Sequence, residues 1–332
     1  MQIAMIAFTA VGRHLTERIQ KLCPHDEFTV FTEKIPAADW VAATFRNVDA
    51  FIFVGATGIA VRLCAPHLQS KAKDPAVLVL DEKGQHVIPL ISGHIGGANK
   101  LAVKLASLLG AKAVLTTATD LNNVFAVDVW AVQAGCTIPD TGQIKHISSE
   151  LLAGKTVGFA SDFPVEGELP EGVEREGNFR AGICVSLDGT RRPWPYTVNV
   201  IPRIAVIGAG CRRNTDSERF AAFAESTAMK HNISLHAVHT LASIDVKHDE
   251  VCLKEFATRY GLTFTTFSAE ALRAVSGTFD ASGFVYETVG VDNVCERAAL
   301  AGQSDKAALI VSKTKQDGMT LAFSIQKWVC RF

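Results

Sequence analysis

Ser92-Gly-His-Ile-Gly-Gly-Ala-Asn99 joins two unlike patterns. Before it, His86–Ile91 reads as an extended run. After it, Ala98, Leu101, Ala102, Leu105, Leu108 and Leu109 recur at helical spacing, which predicts a helix over Gly97–Leu109 with Gly110 as its stop. A strand that turns through glycines into an amphipathic helix is the building unit of an α/β fold. Working outward, Ile3–Phe8, Phe28–Phe31, Phe51–Val54, Val77–Leu80 and Ala113–Leu115 are β-rich runs separated by helical patterns. The first 120 residues therefore predict an N-terminal α/β domain with a mostly parallel or mixed sheet.

Between residues 121 and 200 the alternation weakens, so a small middle α+β module and a linker are expected there. Phe163–Gly177 is rich in proline, glycine and glutamate and reads as a solvated loop, and Asp188–Pro195 as the linker. At Arg203 the alternation restarts, with a strand at Ile204–Ile207, a glycine turn and a helix for which Thr215 and Glu218 have capping-box spacing. An extended run near Ser234–Leu241, a helix across Glu250–Tyr260 and strands at Ala307–Val311 and Thr320–Ile325 complete a C-terminal α/β domain over 201–332.

Composition narrows the function. Hydrophobic residues make up 48% of the 332 positions and charged residues 20%, the balance of a folded chain. The formal net charge of −1 provides no field to draw nucleic acid or an anionic membrane, and neither is expected as a partner. Ile3–Val11 has no basic leader before it, and Ala50–Val61 is short and broken by Gly55 and Gly58, so a cytoplasmic protein is expected. The eight cysteines form no C-x-x-C pair and read as reduced, buried thiols; no metal-ligating set is expected. Oligomeric state is left open.

Several junctions carry polar chemistry. In Val54-Gly-Ala-Thr-Gly-Ile-Ala-Val-Arg62, Gly55, Thr57 and Gly58 open a helix whose free N–H groups suit an anion, with a tight ligand-free turn as the alternative. Around the opening stretch, Ser92, His94, Gly96, Gly97 and Asn99 place polar side chains and helix-start amides together. That favours binding or catalysis over a histidine merely satisfied by a carbonyl. Thr117 and Asp120, in Thr116–Asp120, follow a strand end, where α/β sheets bind ligands and where turns also cap helices. Gly208-Ala-Gly-Cys-Arg-Arg213 adds Gly210 and the guanidinium groups of Arg212 and Arg213. Cys211 lacks a sequence partner for a metal. Asp245, Lys247, Glu287 and Lys313 fall in smaller polar clusters. No P-loop, G-x-S-x-G or H-E-x-x-H string is present, so those chemistries are unsupported.

Together these segments resemble the cobalt-precorrin-5A hydrolase family (CbiG-type) of anaerobic cobalamin biosynthesis. The likeness is carried by Val54–Arg62, Asp81–Gly84 with Ile88-Pro-Leu90, Ser92–Asn99, Thr116–Asp120, Gly208–Arg213, Ala242–Lys247, Glu287–Val291 and Lys313-Thr-Lys315. It spans nearly the whole chain in three parts and is weakest in the middle.

The resemblance implies a hydrolase that opens the δ-lactone of a cobalt-bearing tetrapyrrole with water and releases acetaldehyde. It implies no cofactor of the protein's own, the cobalt arriving on the substrate. The substrate is rich in carboxylates, which Arg62, Arg212, Arg213, Lys247, Lys313 and Lys315 would meet. Lactone hydrolysis needs a base and oxyanion donors. His94 is the candidate base, with Glu287 and Asp245 as rivals, and the Gly96 and Gly97 N–H groups are the candidate donors. Two other readings stay open: a non-catalytic tetrapyrrole-binding carrier, and a sugar-phosphate or nucleotide-binding α/β enzyme using the same glycine turns.

Overall fold

Residues 3–7, Ala50–Val54 and Ala76–Leu80 are apolar and buried at every position, as the centre of a sheet covered on both faces requires. In the computed structural model, which describes residues 1–70, 73–304 and 306–332, the chain divides into two units, Met1–Val129 and Trp130–Phe332.

The first unit contains β1 (Gln2–Ala7), α1 (Ala10–Leu22), β2 (Glu27–Val30), α2 (Ala37–Thr44), β3 (Ala50–Val54) and α3 (Thr57–Cys64). It continues through β4 (Ala76–Leu80), β5 (His86–Ile91), α4 (Ala98–Leu109), β6 (Lys112–Ala113) and α5 (Ala118–Leu121), and α6 (Val127–Gln133) begins at its end. The six strands form one sheet in the order β2-β1-β3-β4-β5-β6. Side chains alternate between its faces. Ile3, Met5, Ile52 and Leu78 pack with Leu15 and Ile19 of α1 and Leu101 and Leu105 of α4. Ile6, Phe51, Phe53 and Val77 pack with Val41 of α2 and Ala60 of α3.

The direction of β5 decides where the functional residues go. β1 to β4 run parallel, but β5 runs antiparallel to β4, pairing Leu80 with Val87 and Val77 with Ile91. The reversal is made at Asp81–Gly84. The Asp81 carboxylate accepts the N–H groups of Lys83, Gln85 and His86, and Gly84 takes φ 65°. β6 runs parallel to β5.

Among the described residues, the second unit holds two five-stranded sheets and a two-stranded one. In its middle module, β7 (Cys136–Thr137), α7 (Ile144–Leu152), β8 (Val157–Ser161), β9 (Val165–Glu166), β10 (Val173–Glu174), β11 (Ala181–Val185) and β12 (Tyr196–Pro202) follow one another. The sheet order is β10-β8-β11-β12-β7, parallel except for β7. The expected linker Asp188–Pro195 is instead a crossover within this sheet, from β11 to the adjacent parallel β12. Trp194 lies over Gly158 and Gly182, where a β-carbon would come within 2.4 and 2.2 Å of its ring. The stretch read as a solvated loop contributes β10 to the sheet edge.

The C-terminal sheet is built from β13 (Ala205–Gly210), α8 (Ser217–Lys230), β14 (Val238–Ile244), α9 (Val251–Tyr260), β15 (Thr263–Phe267), α10 (Ala269–Ala274), α11 (Gly283–Val289), α12 (Val294–Ala301), β16 (Ala307–Gln316) and β17 (Met319–Gln326). Its order is β15-β14-β13-β17-β16, with β13, β14 and β15 parallel and the last two antiparallel. α8 is capped by Asp216, whose carboxylate accepts the Arg219 N–H at 2.9 Å, and not by Thr215, whose hydroxyl donates to the Arg212 carbonyl. The cap is one residue later than the spacing predicted because Thr215 is held inside the preceding turn. β18 (Cys330–Arg331) returns to pair with β9. There Phe332 stacks on Trp130 at 4.8 Å and meets the edge of Phe159, and Trp130 Nε1 donates to the Arg331 carbonyl.

Candidate functional site

Because β5 and β6 run together, the chain leaving each emerges at the same end of the first sheet. This brings Ser92–Asn99 beside Thr116–Asp120. Asn99 Nδ2 donates to Asp120 Oδ2 at 2.6 Å and to Thr117 Oγ1 at 3.2 Å. The His94 ring lies between two carboxylates, Nδ1 3.2 Å from Asp128 Oδ2 and Nε2 3.3 Å from Asp120 Oδ2, with Thr119 Oγ1 3.5 Å from Nε2. The Asp128 side chain is 6% exposed, His94 15% and Asp120 28%, so the cluster opens to solvent on its Asp120 side.

The hydrogen bond to Asp128 raises the His94 pKa above its ordinary 6.5; burial works against this, and the charges of Asp128 and Asp120 add to it. Both carboxylates thus favour the protonated ring. Asp128 meets Nδ1 on the buried side of the ring, and Nε2 faces Asp120 on the side open to solvent.

Asp128 escaped the reading of the sequence. Its one signal was a single acid inside the apolar run Val124–Val129, at the start of α6.

Other expected roles change with the geometry. Ser92 is 7% exposed, its hydroxyl donates to the Asp74 carbonyl, and its φ of 57° is costly for a residue with a side chain. It shapes the turn and does not present its hydroxyl to a ligand. The opening amides of α4 are already used: Gly97 N–H donates to His94 O, Ala98 N–H to Ser92 O and Asn99 N–H to Gly93 O. Gly97 is thus not a free oxyanion donor. Its glycine is required by φ 82°, and that of Gly96 by the Ser92 β-carbon, which a side chain would meet at 2.4 Å. Asn99, 9% exposed, positions Asp120.

Gly55, Thr57 and Gly58 follow the carboxyl end of β3. The register of β3 with β4 and of β4 with β5 puts that end opposite the one from which Ser92 emerges. About five residues of strand, roughly 16 Å, separate the two. Arg62 is exposed on α3, which starts at the Gly55 end. The reversed β5 thus keeps the two glycine junctions at opposite ends of the sheet.

In the second unit, the carboxyl ends of β13 and β14 collect Gly210, Arg212, Arg213, Asp245 and Lys247. Arg212, Arg213 and Asp245 are exposed. Between β13 and α8 lie six residues, 211–216, so the expected direct glycine-to-helix junction is a loop. Lys313 differs from expectation: 5% exposed, its ammonium donates to the Asp280 carbonyl and faces the Asp280 carboxylate at 3.4 Å. It is an internal tie and not a free cation. Glu287 is exposed on α11. Cys211 has a spatial partner that the sequence hid, Cys252, with Sγ atoms 3.7 Å apart.

Comparison with known proteins agrees with this architecture part by part. The family pattern described as "Cobalamin synthesis G N-terminal" matches residues 39–120, "Cobalamin biosynthesis central region" residues 125–202, and "Cobalamin synthesis G C-terminus" residues 205–324. The cobalt-precorrin-5A hydrolase of Salmonella typhimurium is 35% identical, with 97% of each chain covered. That of Priestia megaterium is 29% identical over 85% of this chain and 79% of its own. A shorter relative, protein CobE of a Sinorhizobium species, is 29% identical over 36% of this chain and 78% of its own. With three consecutive domain patterns and a full-length relative at this identity, the chain belongs to the cobalt-precorrin-5A hydrolase family.

Proposed function

We propose that the chain is a cobalt-precorrin-5A hydrolase, acting on a cobalt-bearing tetrapyrrole and giving cobalt-precorrin-5B and acetaldehyde. The observation that carries this is the 35% identity to a cobalt-precorrin-5A hydrolase across 97% of both chains. Water adds to the lactone carbonyl and the ring C–O bond breaks, leaving a carboxylate and a free hydroxyl on the former bridging carbon. Loss of the hydroxyl proton turns that C–O bond into the carbonyl of acetaldehyde. The electron pair of the breaking carbon–carbon bond passes into the macrocycle. A base is used twice, on the water and on the hydroxyl.

The His94–Asp120 pair supplies that base, with Asp128 holding the ring. Arg212 and Arg213 are exposed and offer charge-assisted hydrogen bonds to carboxylates of the kind the substrate carries, whereas Lys247 is tied to Glu250 at 2.9 Å. No redox cofactor enters the reaction, because water is the only co-reactant. Incubation with the cobalt-bound lactone tests the reading: one acetaldehyde per substrate consumed is expected. Stoichiometric binding with no acetaldehyde would make the chain a carrier instead.

A base must be unprotonated, so turnover should rise as pH climbs through the His94 pKa, which lies above 6.5. Asp128→Asn removes the main cause of the raised value, so the acid limb of the pH–rate profile should move to lower pH. The plateau should also fall, because the ring loses its charged anchor. A variant profile superimposable on the parent's would remove His94 from the rate-controlling proton transfer.

A further inference from the structure

Away from the histidine cluster, the described residues hold a group of three metal-type donors, Cys211, Glu250 and Cys252, whose ligand atoms all lie within 4.8 Å of one another. Cys211 follows β13, Glu250 is the N-cap of α9 and Cys252 lies in the first turn of that helix. They meet because β13 and β14 are adjacent and parallel, so the loops leaving both strands share one edge of the sheet, a usual place for α/β sites.

The spacing has chemical meaning. The two sulfurs are 3.7 Å apart. Two thiolates on a tetrahedral zinc ion, each about 2.3 Å from the metal, stand about 3.8 Å from one another. Glu250 is braced from two sides: the Asn214 N–H donates to Oε1 at 2.7 Å and Lys247 Nζ to Oε2 at 2.9 Å. Cys252 is fully buried and Cys211 half-buried, which leaves an approach on one side.

The charges also close. With both thiols protonated, Glu250 and Lys247 cancel. When a divalent cation displaces the two thiol protons, two thiolates, one carboxylate, the cation and the Lys247 ammonium again sum to zero. Binding then leaves no uncompensated charge in the cluster, and two protons depart to solvent.

The geometry points to a zinc-class divalent cation held by Cys211, Cys252 and Glu250, with a fourth position open to water or another donor. Two thiolates favour zinc over magnesium or calcium, which prefer all-oxygen sites. Lys247 and the Asn214 amide each hold one carboxylate oxygen, and the second lone pair of either oxygen remains for the cation. The hydrolysis proposed above makes no use of this ion, so the two inferences stand or fall separately.

The test uses the purified full chain, kept reduced and stripped of metal, titrated first with Co²⁺ and then with Zn²⁺. One equivalent of Co²⁺ should give near-ultraviolet thiolate-to-metal charge transfer and the visible bands of a tetrahedral ion, and one equivalent of Zn²⁺ should abolish them. Cys211→Ser should lose the charge-transfer band. Lys247→Met should retain it but bind Zn²⁺ about 10–100-fold more weakly. His94→Asn should titrate like the parent, which separates this site from the histidine–carboxylate cluster. Cys252→Ser places a hydroxyl in the buried core, so the half-buried Cys211→Ser is the deciding variant. No charge-transfer band at excess Co²⁺, or an undiminished band in Cys211→Ser, would overturn the site and leave a hydrogen-bonded thiol pair.

Discussion

His94→Asn should release acetaldehyde about 10²–10⁴-fold more slowly than the parent chain while remaining folded, the usual range for a lost general base. The asparagine amide keeps a donor near the place of Nδ1, so the link to Asp128 survives in part. What disappears is the titratable Nε2 beside Asp120. The measurement is single-turnover acetaldehyde release, with intact secondary structure checked by circular dichroism. A near-parent rate would transfer the proton chemistry to Asp120, or to the rival carboxylates Asp245 and Glu287. An unfolded variant would instead show that His94 is chiefly a structural bridge between Asp120 and Asp128.

Gly208→Ala should be the most damaging single methyl in the second unit. A β-carbon there would lie 1.8 Å from the Cys295 carbonyl oxygen and 2.5 Å from the Ala299 nitrogen, both backbone atoms of α12. No rotamer change relieves such a contact; the helix itself must move off β13. Overpacking commonly costs about 1–3 kcal/mol, and this case belongs at or beyond the upper end. The midpoint of urea unfolding should fall with little change in slope. An unchanged midpoint with lost turnover would instead make Gly208 a ligand contact. The glycine that draws the eye as part of a binding turn is explained here by helix–strand packing.

That case shows what the residues disclosed and what they did not. The apolar runs at Ile3, Phe51 and Val77 announced buried strands because every position in them is covered, and the stripe from Ala98 to Leu109 announced α4. Strand direction was not announced. His86–Ile91 reads the same whether β5 runs with β4 or against it. The turn that reverses it depends on one side chain, Asp81, capturing the amides after it, a short acid-to-glycine signal easily passed over. With the direction unknown, nothing in the residues told which end of the sheet the Gly55 and Ser92 junctions occupy. His94 and Asn99, and separately Thr117 and Asp120, were legible because each pair sits in a polar string at a strand end; that the two strings meet was not. Asp128 and Cys252 were not, because each is a lone polar or thiol group within an apolar helical pattern, and their partners are 34 and 41 residues away.

The return of β18 to β9 sets a timetable for synthesis. Trp130 and Phe159 leave the ribosome well before Arg331 and Phe332, which cover them. At about 5–20 residues per second, the interval between β10 and β18 is on the order of 10–30 s. During it the middle sheet has its own strands but lacks the stacked ring and the main-chain bond to Trp130. The nascent middle module thus gains its last aromatic contacts only after the C-terminal sheet has been made. Ribosomes stalled before Trp328 should hold a chain whose middle module is cut by protease faster than the released protein.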